Sequence, residues 1–196
     1  SHIGLKYLTK EQFDNFVQSP LIKEISYNQY IGIAENEALQ KKQNEIRYSE
    51  DQKAKWIFSY PTVGKMPQQM NELACSTITL DMLGLPYELG TSVPLEFSLN
   101  GVKYSETFTL CGYWEGDPVM HATQIFVSKE YINSILTVPE ELDWSNEMDG
   151  IAGTYMADVM LKRVTNLENQ AVELITERGY DIEEIAYGTN WAYMSN

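Results

Sequence analysis

Apolar and polar positions alternate in the order strand, helix, strand at both ends of the chain. At the start, residues 2–8 and 25–33 read as strands. The segment between them reads as a short helix, because Thr9 and Gln12 form a capping box and Phe16 lies on an apolar stripe behind it. This pattern predicts a first βαβ unit.

The C-terminal part repeats the order with a stronger signal. Residues 155–161 alternate as a strand with one apolar face. Thr165 and Glu168 have capping-box spacing for a second helix, for which Gly179 is a suitable C-terminal cap. A closing strand follows over 182–187. Two such βαβ units can pair as a split βαβ, with both helices on one face of the sheet.

The middle of the chain is richer in strands. Residues 71–84 read as a short strand that leads into a helix. Val93 to Leu110 predicts a hairpin, because Asn100-Gly101 is a strong two-residue turn signal between alternating apolar positions. A strand over 123–127 and a helix capped by Ser128 complete this part.

The sequence therefore predicts an α+β fold, in which a ferredoxin-like split-βαβ subdomain is interrupted by a small β-rich subdomain. We expect the discontinuous subdomain to comprise 1–59 and 151–196, and the inserted one to comprise 60–150. Proline and glycine residues mark the entry near 61–67 and the exit near 139–150.

Composition describes an ordered and strongly acidic protein. The 196 residues are 43% hydrophobic and 12% aromatic, which excludes disorder, and the formal net charge is −14. Such a charge repels nucleic acid and anionic membrane surfaces and favours cationic ligands, although acidity also simply keeps a domain soluble. No apolar run reaches the length of a membrane span. The chain begins at Ser1 without a methionine, so we expect a piece of a longer protein.

The two glycines and the proline of 81-DMLGLPYELGTSVPLEF-97 raise the possibility of a phosphate loop. The segment lacks the Lys-Ser/Thr ending of such a loop, and it follows a helix and precedes a strand, which is the reverse of the required order. We therefore interpret it as an architectural turn.

No catalytic, cofactor-binding or metal-binding residues are predicted. His2 and His121 are the only histidines, and neither has a partner at ligand spacing. The acidic segment 143–150 fails the calcium-loop pattern, and the adjacent pairs Glu140-Glu141 and Glu183-Glu184 have diverging side chains. We predict a protein that is not an enzyme, without a cofactor, and with binding residues that the sequence leaves unknown.

Aromatic and cysteine residues leave alternatives open. Six aromatic residues either line a groove for sugar or peptide or pack in the core: Trp56, Tyr60, Tyr113, Trp114, Trp144 and Trp191. Cys75 and Cys111 are either two free buried thiols or a single disulfide.

Three stretches carry a resemblance to a known family: 72-ELACSTITLDMLGLPYELGTSVPLEF-97, 107-TFTLCGYWEGDP-118 and 125-IFVSKEYI-132. A helix ends in Leu-Gly, a strand ends in Gly followed by an aromatic residue, and a third strand leads into a Ser-capped helix. This pattern resembles the extracytoplasmic domain (MacB-like periplasmic core) of FtsX-like ABC transporter permeases, in a Gram-positive version. The resemblance covers about 60–136.

The resemblance implies a porter-like α+β subdomain with a β-rich insertion, on the outer side of the cell membrane between transmembrane helices of a permease. It implies an ABC ATPase subunit as partner through the membrane part of the parent chain, and a second permease copy. The implied substrates are a cationic peptide or a lipoprotein. The family carries no catalytic residues here, and a Gram-positive setting would lack the outer-membrane channel of tripartite pumps.

Two functions compete at this stage. The first is a non-catalytic extracytoplasmic domain that binds substrate or a partner and is coupled to the cytoplasmic ATPase. The alternative is a secreted or surface-anchored binding protein for carbohydrate or peptide, which would use the aromatic residues.

Overall fold

The computed structural model describes residues 1–136 and 151–190, which fold into two compact units. The first comprises Ser1–Asn28 and the chain from Thr154 onward, and the second comprises Gln29–Gly153. The chain is mixed α/β with a mixed sheet and few helices.

The first unit is built from two strand–helix–strand segments. Its elements are β1 (Ile3–Leu8), α1 (Lys10–Val17), the start of β2 (Ile22–Ile33), β9 (Tyr155–Leu161), α5 (Leu167–Glu177) and β10 (Ala186–Thr189). The strand order is β10-β1-β9-β2, and β1 is antiparallel to both β10 and β9. This order agrees with a split βαβ, whereas the complete ferredoxin-like assignment stays a prediction.

Local capping chemistry explains where the helices of this unit begin and end. The predicted capping box of Thr9 and Gln12 is present at α1. At α5 the cap is Asn166 and not Thr165, because the Asn166 side chain accepts from the Asn169 amide; the backbone of Asn166 is left-handed there, which asparagine tolerates better than most residues. The helix ends at Gly179 in a Schellman motif, as predicted. The closing strand is shorter than predicted, since Ile182–Glu184 form a 3-10 turn.

The core of the first unit consists of alternate strand residues and one stripe of each helix. Phe16 of α1 and Leu174 of α5 are fully buried with the inward residues of β1 and β9. Tyr27 and Tyr155 stack at 4.7 Å within it. Burial of such side chains is the main stabilising contribution to this unit.

The second unit holds most of the strands. Its elements are the end of β2, β3 (Gln43–Ser49), α2 (Asp51–Trp56), β4 (Val63–Gly64), β5 (Glu72–Ser76), α3 (Thr77–Leu83), β6 (Ser92–Leu99), β7 (Val102–Trp114), β8 (Ala122–Val127) and α4 (Lys129–Ile135). The strand order is β2-β3-β8-β5-β7-β4, and β6 pairs with β7. The β3–β8 and β5–β7 pairs are parallel, and the β5–β8, β4–β7 and β6–β7 pairs are antiparallel.

The predicted β6–β7 hairpin is confirmed, and Asn36 binds the edge of β6 that faces away from β7. Asn100 and Gly101 both have positive φ, as a two-residue turn of this type requires. Asn36 donates to the Pro94 carbonyl and accepts from the Glu96 amide, at 3.0 and 2.9 Å. Asn36 therefore occupies main-chain groups of β6 that would otherwise lack a partner.

The two faces of this sheet differ in chemistry. One face packs the larger apolar cluster around Ile46, Leu73 and Phe97. The other is covered partly by α2, and it carries a half-buried polar network in which Gln124 donates to Glu45 at 2.7 Å and accepts from Arg47 at 3.1 Å. Every member of this network is hydrogen-bonded, which is the condition for burying polar groups in a sheet.

The first compact unit ends earlier than the predicted boundary at 59/60. β3 lies parallel to β8, and α2 packs its Ala54 against Phe126 of the same strand, so residues 43–59 belong with the second unit. The second boundary, predicted at 150/151, falls at Gly153.

Cys75 and Cys111 are both free and buried, so the disulfide alternative is wrong. Burial raises the pKa of both thiols, to about 11 for Cys111 and further for Cys75. Because the thiolate is the reactive form, we expect the native protein to resist a disulfide reagent at neutral pH and to react at both thiols after unfolding. Rapid reaction of both thiols in the native state would contradict this, and Cys111→Ser should leave one thiol.

His2 makes the first unit sensitive to acid. Its Nδ1 accepts a hydrogen bond from the Leu161 amide at 2.9 Å, which requires an unprotonated nitrogen. Burial, followed by the positive charges of the N-terminus and Lys23, lowers the pKa of His2 below 6.5. The unfolded state therefore binds the proton more readily, so this stability is present above pH 6.5 and is lost as the pH falls through the folded pKa.

We expect urea unfolding to show a lower free energy of unfolding at about pH 5 than at about pH 8. His2→Gln cannot titrate, and it should show a smaller difference between the two pH values. An equal difference in the two proteins would contradict the assignment.

Candidate functional site

The two histidines that the sequence singled out for chemistry lie in different environments. His2 is buried and binds main chain, whereas His121 is exposed in the loop between β7 and β8. Within residues 1–136 and 151–190, no group of three or more His, Cys, Asp and Glu side chains could hold a metal ion. The acidic segment 143–150 lies outside the described residues.

The loop 84–91 is architectural, in agreement with the interpretation of its sequence. Gly84 ends α3 in a left-handed conformation, and the Gly90 amide donates to the Leu110 carbonyl at 2.9 Å as the chain enters β6. The loop nevertheless presents Tyr87, which is 49% exposed, and Leu89 at the surface. Its side chains therefore belong to a surface that the sequence did not identify.

Tyr87 lies at the centre of an aromatic and acidic surface on the second unit. Its hydroxyl donates to Asp81 Oδ1 at 2.6 Å, and its ring centroid is 5.9 Å from that of Tyr113. The Tyr113 hydroxyl donates to the Tyr87 carbonyl at 3.2 Å, which ties the loop to β7. We call Asp81, Tyr87, Tyr113 and Glu115 the Tyr87 surface.

The electrostatics of the Tyr87 surface favour positive charge. The hydrogen bond to Asp81 raises the pKa of Tyr87, and desolvation and the negative charges of Asp81 and Glu115 raise it further. The ring face of an aromatic residue attracts ammonium and guanidinium groups, and nearby carboxylates add to that attraction. This surface is suited to contact a cationic side chain.

Of the six aromatic residues for which a groove and core packing are both open, the structure describes Trp56, Tyr60, Tyr113 and Trp114, and their environments differ. Trp114 is buried against Phe126 in the core, with ring centroids 5.5 Å apart. Tyr60 packs at the edge of the same cluster with Lys55 over its ring, and Tyr113 belongs to the Tyr87 surface. Trp144 and Trp191 lie outside the described residues.

Phe58 is an unusual residue for its position. It follows α2 with φ 56°, in a Schellman motif closed by bonds from Phe58 N to Lys55 O and from Ser59 N to Ala54 O. Glycine is the usual residue there, because other side chains are strained in that conformation. The Phe58 side chain is 91% exposed, so packing within the described residues does not offset the strain.

A pocket of about 420 Å³ lies in the first unit, at the loop between β9 and α5. Lys162, Arg163 and Glu173 are among its lining residues, so its charge is mixed. Gln170 already binds the Thr165 amide and the Arg163 carbonyl, at 3.1 and 2.7 Å. The Gln170 side chain is thus used to hold the loop.

Solved structures of transporter domains have a similar fold. The periplasmic region of MacB from Actinobacillus actinomycetemcomitans matches with a TM-score of 0.55 and 9% identity, over 95% of this chain and 87% of that one. The extracellular domain of the noncanonic ABC-type transporter YknZ from Gram-positive bacteria matches with a TM-score of 0.56 and 10% identity, over 97% and 100%. This chain shares the fold of those transporter domains.

A domain from Porphyromonas gingivalis that is assigned to a permease gives a TM-score of 0.51 at 13% identity, over 99% of this chain and 95% of that one. No family model and no curated protein matches the sequence. None of the helices in the described part of the chain is long and apolar enough to cross a membrane.

Proposed function

We propose that this chain is the extracytoplasmic domain of an FtsX-like ABC transporter permease. In this role it binds a substrate or partner outside the membrane and is coupled to a cytoplasmic ATPase through flanking transmembrane helices of a parent chain. The observation that carries the proposal is a fold shared with the YknZ extracellular domain over 97% of this chain and all of that domain. The resemblance of residues 72–132 to the same family supports it independently.

The domain would act by binding and movement, without chemistry of its own. ATP hydrolysis belongs to the ATPase subunit, and a ligand can shift the domain only if it binds one arrangement of the complex more tightly than another. We propose that a second permease copy belongs to the complex. The proposed substrate is a cationic peptide or a lipoprotein.

The Tyr87 surface is the proposed contact for a cationic group. Replacing Asp81 by asparagine keeps an acceptor for the Tyr87 hydroxyl and removes one negative charge. We expect a tetra-arginine peptide to bind Asp81→Asn about two- to tenfold more weakly, as loss of a charge-assisted contact of this size implies.

The matched control is Asp117→Asn, which makes the same charge change on a nearby exposed loop. Asp117 accepts from the Val119 amide, and asparagine can keep that bond. Equal weakening in both variants, measured by calorimetry, would show attraction to net charge alone and would contradict the assigned contact.

Purification of the parent protein tests the proposed function. We expect the full-length chain, expressed together with the ABC ATPase encoded beside it and extracted in detergent, to co-purify with that ATPase. ATP hydrolysis by the complex should then respond to removal of the second unit. A parent protein that is released into the medium without an ATPase partner would contradict the proposal and favour a secreted binding protein.

A further inference from the structure

One edge of β7 has no strand beside it over several residues. β6 pairs with β7 from Val102 to Thr109, but β5, on the other side, begins to pair only at Thr109. In the part of the chain that the structure describes, no main-chain group bonds to that side of residues 103–107. Strand edges of this kind are templates for another strand.

The hydrogen bonds around this segment fix which groups point outward. The Thr109 amide donates to the Asn71 carbonyl on the β5 side, whereas Leu110 exchanges bonds with residues 90 and 91 on the β6 side. Because the direction alternates along a strand, the amides and carbonyls of Lys103, Ser105 and Thr107 point away from β6. The side chains of these three residues are also exposed.

The chain before β5 turns away and leaves this edge open. Glu72 Oε1 accepts from the Gln68 and Gln69 amides at 3.0 and 2.8 Å, which holds residues 68–71 in a turn. Lys65 bonds the other oxygen of the same carboxylate. The bonds of Glu72 therefore stop β5 from continuing along residues 103–107.

A buried tyrosine packs against the same strand. Tyr131 of α4 is 5% exposed, its ring packs edge-on against Phe108 of β7 at 5.0 Å, and its hydroxyl interacts with the Glu106 carboxylate outside ordinary hydrogen-bond geometry. Burial raises its pKa, and the Glu106 carboxylate and the Tyr104 hydroxyl lie close enough to raise it further.

We infer that residues 103–107 of β7 bind an extended basic peptide segment, which adds a strand to the sheet. Main-chain hydrogen bonds would supply the affinity of such an added strand, and its alternate side chains would supply the specificity. This inference rests on the proposed function and extends it, because it names the class of ligand that the domain binds.

Charge decides between the possible occupants of the edge. Glu106 lies on one face of the segment. On the other face β7 carries Lys103, and the Glu96 carboxylate belongs to β6, one strand further from the open edge. Lysine or arginine on the Glu106 face of an added strand would therefore meet a carboxylate. A second copy of the chain would bring another net charge of −14 to the same edge, which opposes self-pairing.

Hydrogen exchange of the domain with a defined peptide tests the inference. The probe is an N-acetylated heptapeptide of alternating lysine and valine, with a glutamate–valine peptide as its charge control. Without peptide, we expect fast exchange at the amides of residues 103, 105 and 107 and slow exchange at residues 104 and 106. The lysine peptide should slow the three odd-numbered amides by about tenfold or more at saturation, and the glutamate peptide should not.

Two substitutions of Ser105 distinguish the contribution of its main-chain amide to peptide binding from that of its side chain. Ser105→Pro removes an outward amide that makes no internal bond, and Pro94 already occupies an outward position on β6. We expect Ser105→Pro to weaken binding of the lysine peptide by about tenfold or more, and Ser105→Ala to bind as the wild type does. Equal melting temperatures of the two variants would show that the proline is tolerated.

Four results would overturn the inference. The first is slow amide exchange at residues 103, 105 and 107 before peptide is added, and the second is equal affinity of Ser105→Pro and Ser105→Ala for the lysine peptide. The third is no binding of the lysine peptide to the wild type up to about 1 mM. The fourth is a dimer of the domain that Ser105→Pro dissociates. The last result would assign the edge to a second copy. Co-purification of the parent chain with its ATPase would be unaffected by any of them, so this inference can fail while the proposed function stands.

Discussion

Replacing Gly112 by alanine is expected to destabilise the second unit strongly. Gly112 of β7 faces Gly64 of β4 across an antiparallel pair. A Cβ at Gly112 would overlap the Lys65 carbonyl oxygen and would lie 3.0 Å from the Lys65 amide nitrogen and from Pro61 Cγ. Two of these atoms are main chain, so the strands must separate to admit a methyl group. We expect a loss of about 3 kcal/mol in the free energy of unfolding.

Gly101→Ala is the matched control for this substitution. Gly101 has φ +80°, but a Cβ there would meet no atom within 4 Å. Both substitutions change the entropy of the unfolded chain in the same way, so their difference compares the clash at Gly112 with the strain of a left-handed alanine at residue 101. That strain costs about 1–2 kcal/mol. A urea titration in which Gly112→Ala is no less stable than Gly101→Ala would contradict the close approach of β4 and β7.

Phe16→Ala should have the largest effect in the first unit. Phe16 is fully buried between the strands and α5, and its ring lies 5.5 Å from that of Tyr180. Removing a buried phenylalanine side chain leaves a cavity and costs about 3–5 kcal/mol. The neighbouring Val17 is 43% exposed, so Val17→Ala should change stability by less than about 0.5 kcal/mol. Similar losses for both variants in urea unfolding would contradict the inward orientation of Phe16.

Elements specified by nearby residues could be predicted from the sequence. The β6–β7 hairpin depends on Asn100 and Gly101, whose conformational preferences act within four residues. The beginning of α4 depends on Ser128, which accepts from the Tyr131 amide as predicted. The end of α3 depends on the left-handed Gly84. Such signals require no knowledge of distant strands.

Elements specified by distant partners were missed. β3 carries the polar residues Asn44, Glu45 and Arg47, so its sequence does not resemble that of an interior strand. These side chains are buried or half-buried only because residues far away in sequence bond to them. Asn44 accepts from Thr79 at 2.6 Å, and Glu45 and Arg47 both bond Gln124. The error at Thr165 has a more local origin, because two adjacent residues can both cap a helix. Asn166 caps α5, and the Thr165 amide donates to the Gln170 side chain.

The Tyr87 surface could not be predicted from the sequence for the same reason. Tyr87 is a loop residue whose neighbour Tyr113 lies on β7, and only the pairing of the strands brings the two rings together. The open edge of β7 depends on where β5 begins, which the Glu72 turn determines. The composition could indicate a preference for cationic partners, but it could not locate the residues that would bind them.

A measurement of the side of the membrane on which the second unit lies tests the central claim most directly. Val102 is 54% exposed at the end of the hairpin, whereas Cys75 and Cys111 are buried, so Val102→Cys adds one reactive thiol to a domain whose own two cysteines are protected. A membrane-impermeant maleimide applied to intact cells that express the full-length Val102→Cys protein should label it more strongly than the full-length wild type. If the Val102→Cys protein were labelled only after cell lysis, the second unit would lie inside the cell and the account would be contradicted.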